Sequence, residues 1–291
     1  MMTPHAPTQE QPDAFTLVLL DVQKSLACGE LAVPLLPDVA VRVIESGTQR
    51  AANAQGLAEV ISADAALTRY LLRIAVSAAK RPVQHIVSLQ HALAWLGIDE
   101  VANIAFTLGL QGKMLDVKGQ QRKARRLWRH ALASALWARQ LACMLSLDTG
   151  VCYLCGLLHD IGKVVTLGVV HEVAQRRRMA LSSDDYDRLV EAFHDEVGVQ
   201  VVNSWALPAA VPGVIAGWRD PSAGSQQPES DLVDLAHLLA DFTLHEATML
   251  KCDEIIEAPC YRALGLTHAH AGALFDSAAP IDAELDRYLS P

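Results

Sequence analysis

The segment Gly156-Leu157-Leu158-His159-Asp160-Ile161-Gly162-Lys163 sets an imidazole and a carboxylate side by side inside an apolar run. No other stretch restricts the fold as strongly. Burying two such groups costs free energy unless each finds a partner. A divalent cation is one kind of partner, and a closed hydrogen-bond network is the other. Either way, polar side chains from distant parts of the chain must converge on this point, so the fold has to wrap it.

The surrounding pattern is helical almost throughout. Asp64 can cap a helix running from Ala65 to Ala79, whose Leu67, Leu71, Ile74 and Ala75 form one apolar stripe. Pro37-Asp38 reads as a helix start and Gly47 as its stop, and a short helix covers Gly56 to Ile61. Ser88 can cap a helix that Gly97 ends, and Asp99 opens another. A long amphipathic helix spans about Arg125 to Leu145, and Asp148 caps the next, with the His159-Asp160 pair at its C-terminal end. Further helices are expected at 164–179, 184–205, 209–218 and 231–250. A mobile loop is expected at Asp220 to Ser230, and a short acidic tail precedes a small helix at Ile281–Leu289.

Alanine and leucine dominate a composition that is 51% hydrophobic and only 5% aromatic, which suits closely packed helices rather than sheets. A net charge of −9 argues against a general nucleic-acid surface. Two basic runs, Arg122-Lys123-Ala124-Arg125-Arg126 and Arg176-Arg177-Arg178, are solvated helix faces or contacts for an anionic ligand or partner. No apolar run reads as a membrane span, and Phe15 to Leu20 lacks the basic flank of a signal peptide, so a cytoplasmic location is expected. Cys152 and Cys155 form a lone CxxC within an apolar helix and read as buried thiols. The other cysteines do not form a secreted disulfide framework.

Four positions stand out as candidates for one pocket: His130, His159, Asp160 and His194. They lie in different helical segments or at their edges, apart from the adjacent pair, and helical bundles build metal sites from such inward side chains. The remaining histidines, His237 aside, read as surface or structural.

The order His130…His159-Asp160, within Trp128-Arg129-His130-Ala131-Leu132-Ala133 and the segment 156–163, resembles the HD superfamily of metal-dependent phosphohydrolases. The N-terminal half narrows the resemblance to the HDOD branch. The stretches that carry it are Leu36-Pro37-Asp38-Val39-Ala40, Ile61-Ser62-Ala63-Asp64-Ala65 with Leu71-Leu72-Arg73-Ile74-Ala75, and Ser88 to Gly97. His194-Asp195-Glu196-Val197-Gly198 and Trp205-Ala206-Leu207-Pro208 match its later segment, so the likeness spans about residues 34 to 250.

The resemblance implies an all-α fold: a multi-helix HD-like (HDOD) bundle in two packed helical subdomains. The expected division is a disordered stretch at 1–14, an N-terminal helical segment at 15–33, and subdomains at 34–120 and 121–291. It implies a bacterial signal-transduction or regulatory protein that acts through a protein partner or a ligand, in a circuit that can involve cyclic dinucleotides. The alternative is a metal-dependent phosphohydrolase or cyclic-dinucleotide phosphodiesterase. Catalytic relatives close their metal site with a late Asp. Here His237 stands at that place, with Asp234 and Asp241 nearby, and Trp218-Arg219 stands where bimetal relatives carry histidine. A degenerate site follows. It would hold no metal, or a single divalent ion (Mn, Fe, Mg or Ni) on His130, His159, Asp160, His194, His237 or Asp241, with Lys163 as a candidate phosphate contact.

Overall fold

The computed structural model describes residues 13–29, 35–36, 40–41, 53–78, 89–205, 207–218, 227–244 and 251–289. Among these the chain is helical, with no strand. The expected helix start at Pro37-Asp38, the Ser88 cap, residues 220–226 of the expected loop and residues 245–250 of the expected long helix lie outside the described residues.

Among the described residues the N-terminal half contains α2 (Asn53–Ser62), α3 (Ala65–Ala78), α4 (Leu89–Leu96) and α5 (Ile98–Leu115). They pack on one another. The Asp64 carboxylate accepts from the Leu67 amide at 3.0 Å, which caps α3 as its sequence predicts. Gly97, at φ 83°, makes the sharp break between α4 and α5.

The second half is built around α6 (Gln121–Leu145). Residues 130–138 of α6 are all buried, so this stretch is surrounded on every side. It packs chiefly on α7 (Thr149–Leu158) and α11 (Pro228–Leu244). The approach to α7 depends on small residues: a Cβ placed on Gly156 would sit 2.7 Å from the Ser134 carbonyl oxygen and 2.8 Å from Ala138 Cβ. Next come α8 (Ile161–Arg177), α9 (Ser183–Ser204) and α10 (Ala210–Gly217). The α8–α9 crossing is closer still, since a Cβ on Gly162 would fall 1.8 Å from the His194 carbonyl oxygen. The Asp148 cap on α7 and the Ser182–Asp185 capping box on α9 fix the two helix starts.

Helix α1 (Ala14–Ala27) packs chiefly on α8 and α9 in the second half among the described residues. It is tied there by the Asp21–Arg177 pair, both contacts at 2.6 Å. In the other basic run, Lys123 reaches Asp187 and the Ser183 carbonyl. Each run therefore contributes one of its cations to intramolecular contacts. The region expected as an acidic tail is instead helical, with α12 (Cys252–Glu257), α13 (Pro259–Ala263) and α14 (His268–Asp276), and the small helix expected at Ile281–Leu289 is α15 (Ala278–Leu289). Sparse anchors such as Ile255, Tyr261 and Leu274 bury these short elements without a long periodic stripe. Helix α15 crosses between the halves, touching α3 as well as α6 and α11.

By length and composition the span Thr149–Arg177 is apolar enough to cross a membrane, contrary to the sequence reading, but 78% of its most apolar window is buried inside the fold. Cys152 and Cys155 are fully buried, and burial pushes the Cys152 thiol up to about 12, so it stays protonated.

Candidate functional site

Helices α6, α7 and α11 and the turn into α8 bring His130, His159, Asp160 and His237 together. One donor atom from each lies within 4.8 Å of every other. His130 points from α6. His159 ends α7, Asp160 precedes the first turn of α8, and His237 comes from the middle of α11. The turn at 159–160 is what lets two sequence neighbours face one point.

The protonation pattern follows from the partners. His159 Nδ1 lies 2.7 Å from the Gly156 carbonyl oxygen, which can only accept, so Nδ1 carries the proton and donates. The Nε2 lone pair of a neutral His159 then faces the cluster. His237 Nδ1 donates to it across 3.1 Å, so the His159 lone pair is engaged by His237 and the free one is that of His237 Nε2. Burial holds the His159 pKa down to about 3 and the His237 pKa down to about 4, so both rings are neutral at neutral pH. His130 Nε2 lies 2.9 Å from Asp241 Oδ1 without the alignment of a hydrogen bond, which leaves a buried ring nitrogen unsatisfied. Burial raises the Asp241 carboxyl, but His130, His237 and Lys163 outweigh it and hold the group below the usual carboxylate range. Lys163 Nζ donates to Asp160 Oδ2 at 2.6 Å.

Neutral imidazole lone pairs, an ionised carboxylate and one orphaned ring nitrogen suit a single divalent ion. His130, His159, Asp160 and His237 would hold it, with Asp241 next to the shell. Three imidazoles with one carboxylate favour mid-row transition metals over Ca²⁺ or Mg²⁺. Such an ion would act as a Lewis acid toward an anionic oxygen.

A cavity of about 400 Å³ opens beside the cluster, lined by Arg126, Leu127, His130, Asp160, Lys163, His237 and Asp241. Two cations therefore share its wall with the metal-capable donors. The Trp218 indole closes another side, its ring centroid 5.0 Å from that of His159 and 5.3 Å from that of His237. His194 belongs elsewhere. Its Nδ1 donates to the Glu191 carbonyl of its own helix at 3.0 Å and its Nε2 lies 3.1 Å from Asp195, and it is not among the four converging donors. Its backbone, not its ring, serves the site, through the crossing at Gly162. Sequence reasoning placed Arg126 within a basic run that could contact an anionic ligand and Trp218 where bimetal relatives carry histidine, without naming either as a wall of this cavity. The signal for Trp218 was its position after the Trp205 to Pro208 segment.

The comparisons bear on family and fold. A model of the HDOD domain matches residues 33–221, well over half of the chain. A Treponema pallidum (strain Nichols) protein named only as uncharacterized is 24% identical over 187 residues, 62% of this chain; the match spans 36% of that relative's length. A Shewanella amazonensis SB2B structure, provisionally named as a metal-dependent phosphohydrolase, superposes with a TM-score of 0.73 at 22% identity, covering 94% of this chain and 99% of that one. An HDOD domain protein of unknown function from Geobacter sulfurreducens gives 0.69 at 21%, covering 92% and 99%. A Marinobacter aquaeolei VT8 protein, provisionally named as a signal transduction protein, gives 0.66 at 21%, covering 96% and 67%. At these identities the three structures speak to the fold. With an HDOD match over most of its length and the family's helical architecture, the chain belongs to the HDOD domain family.

Proposed function

We propose that this protein is a regulatory signal-transduction module that works by binding a ligand or a protein partner rather than by turnover. Its cavity takes at most one divalent ion. The observation that carries this reading is Trp218. Its indole lies against His159 and His237 and offers no lone pair, so that side supplies no donor for a second cation among the described residues. A two-metal clamp on an attacking and a leaving oxygen has no basis here. The name of the Marinobacter relative is in keeping with a signalling role. A cytosolic partner in a cyclic-dinucleotide circuit fits the reading.

One observation favours the alternative, a metal-dependent phosphohydrolase. Arg126 and Lys163 line the same cavity as the metal-capable cluster, where they would meet the oxygens of a phosphate ester. Metal analysis of the purified protein, with turnover assays on cyclic di-GMP, pGpG and a bis-phosphate ester, separates the two. The regulatory reading expects no more than one equivalent of metal and no turnover. Hydrolysis that disappears in both His159→Ala and Asp160→Ala would place the protein among the enzymes.

A further inference from the structure

The back of α6 carries a second buried polar cluster that the cavity does not use. Arg139 reaches Glu100 at the start of α5 through Nη1, and Glu284 in α15 through Nη2, at 2.9 and 2.8 Å to the two carboxylate oxygens. The three side chains are only 19–23% exposed. The remaining polar neighbours are phenols and a hydroxyl. Tyr153 of α7 pairs with Thr107 of α5 at 2.8 Å, and Tyr288 of α15 lies fully buried with no partner for its hydroxyl. The Tyr70 hydroxyl of α3 donates to the Tyr288 carbonyl. One guanidinium thus faces two carboxylates, and no other cation contacts either one among the described residues. The cluster holds one surplus negative charge in a place that water reaches poorly.

The same cluster is where the halves meet. Glu100 and Tyr70 belong to the N-terminal half, Arg139 and Tyr153 to the second, and Glu284 and Tyr288 to the terminal helix lying across both. Helix α15 is also held by its apolar face, where Ile281, Leu285 and Tyr288 are buried. Its further ion contacts, Asp282 and Asp286 with Arg129, are long, at 3.6 and 4.0 Å, and about half exposed. Exposed pairs of this kind contribute little.

We propose that Arg139, Glu100 and Glu284 form a proton-operated clasp: uptake of one proton by the carboxylate pair seats α15 across the two halves, and loss of that proton loosens it. Glu100 is the carboxylate that takes the proton, because it meets Arg139 through one oxygen while Glu284 uses both. Burial, and the Glu284 charge beside it, raise its pKa despite Arg139. The sign follows from linkage. A carboxyl group whose pKa is raised in the closed form adds stability at low pH and loses it as pH rises through that value. Closure of α15 therefore strengthens on mild acidification, the opposite of ordinary acid loosening of ion pairs.

The test is native-state hydrogen exchange on the full chain. Protection of residues 278–289 is compared with that of residues 131–145 from the ordinary carboxylate range, about pH 4.5, up to pH 8 after correction for intrinsic rates. The clasp predicts that α15 protection falls severalfold as pH rises while the core of α6 does not follow. Glu100→Gln keeps an acceptor for Arg139 but removes the surplus charge. It should flatten the pH response and leave α15 at pH 8 at least as protected as in the wild type. Glu284→Gln should loosen α15 at every pH. Wild-type α15 protection that ignores pH, or a Glu100→Gln variant that loosens α15 as much as Glu284→Gln does, overturns the proposal.

Discussion

Helix α6 presents two polar clusters on opposite sides, and they solve the burial problem in opposite ways. His130 and Arg139 are nine residues apart, about half a turn out of phase. On the His130 side the buried rings of His159 and His237 stay neutral and leave a lone pair free, so the cluster can accept something. On the Arg139 side one guanidinium is shared by two carboxylates, so its donors are engaged and the cluster is closed to ligands. Burial therefore does not by itself mark a functional site. What distinguishes one is unused coordinating capacity, and only the first cluster has it.

The largest expected effect breaks the closed cluster. Arg139→Met strands two carboxylates in the interior and should cost about 3 kcal/mol or more, read from denaturant midpoints. Trp218→Ala empties the wall of the open cluster. It should cost about 3 kcal/mol, and should also raise access to His159 and His237, measured by the rate of modification by diethyl pyrocarbonate. Asp160→Ala removes the Lys163 partner and should cost ~1–3 kcal/mol.

The comparison sharpens with pH. His159 and His237 stay neutral in the fold, at about 3 and about 4, whereas unfolded imidazoles take up protons near pH 6.5. Their contribution is complete above that pH and is lost as pH falls from 6.5 toward 4. Urea unfolding of metal-stripped protein should show global stability dropping over this range, while local closure of α15 moves the other way. If both respond with one sign, the contrast between the two sides of α6 fails. The smallest expected change is in His237→Asp. Its effect on stability should be about 1 kcal/mol or less, but it hardens the donor set. Titration calorimetry should show relative affinity shifting from Ni²⁺ toward Mn²⁺.

Much of the open cluster was legible in the sequence, and little of the closed one. His159 and Asp160 announce themselves because polar residues inside an apolar run must find partners. His130 follows from its place in the longest helix, and His237 from the resemblance alone. His194 shows the limit of the method. Its sequence context matched, yet its ring is satisfied by Glu191 and Asp195 within its own helix. Glu100, Arg139 and Glu284 are invisible at this level, because single charges on amphipathic helices read as solvent-facing and the three are far apart in sequence. The helices between residues 252 and 276 escaped for a related reason, since each rests on one or two anchors, too few to show a period.

Gly156 and Gly162 bracket the His159–Asp160 turn, one held against the backbone of α6 and the other against that of α9. With main chain touching main chain on both flanks, neighbouring side chains have no slack through which to nudge this turn. New specificity in such a protein would arise at the rim, from residues such as Arg126, Lys163 and Trp218, while the floor is inherited unchanged.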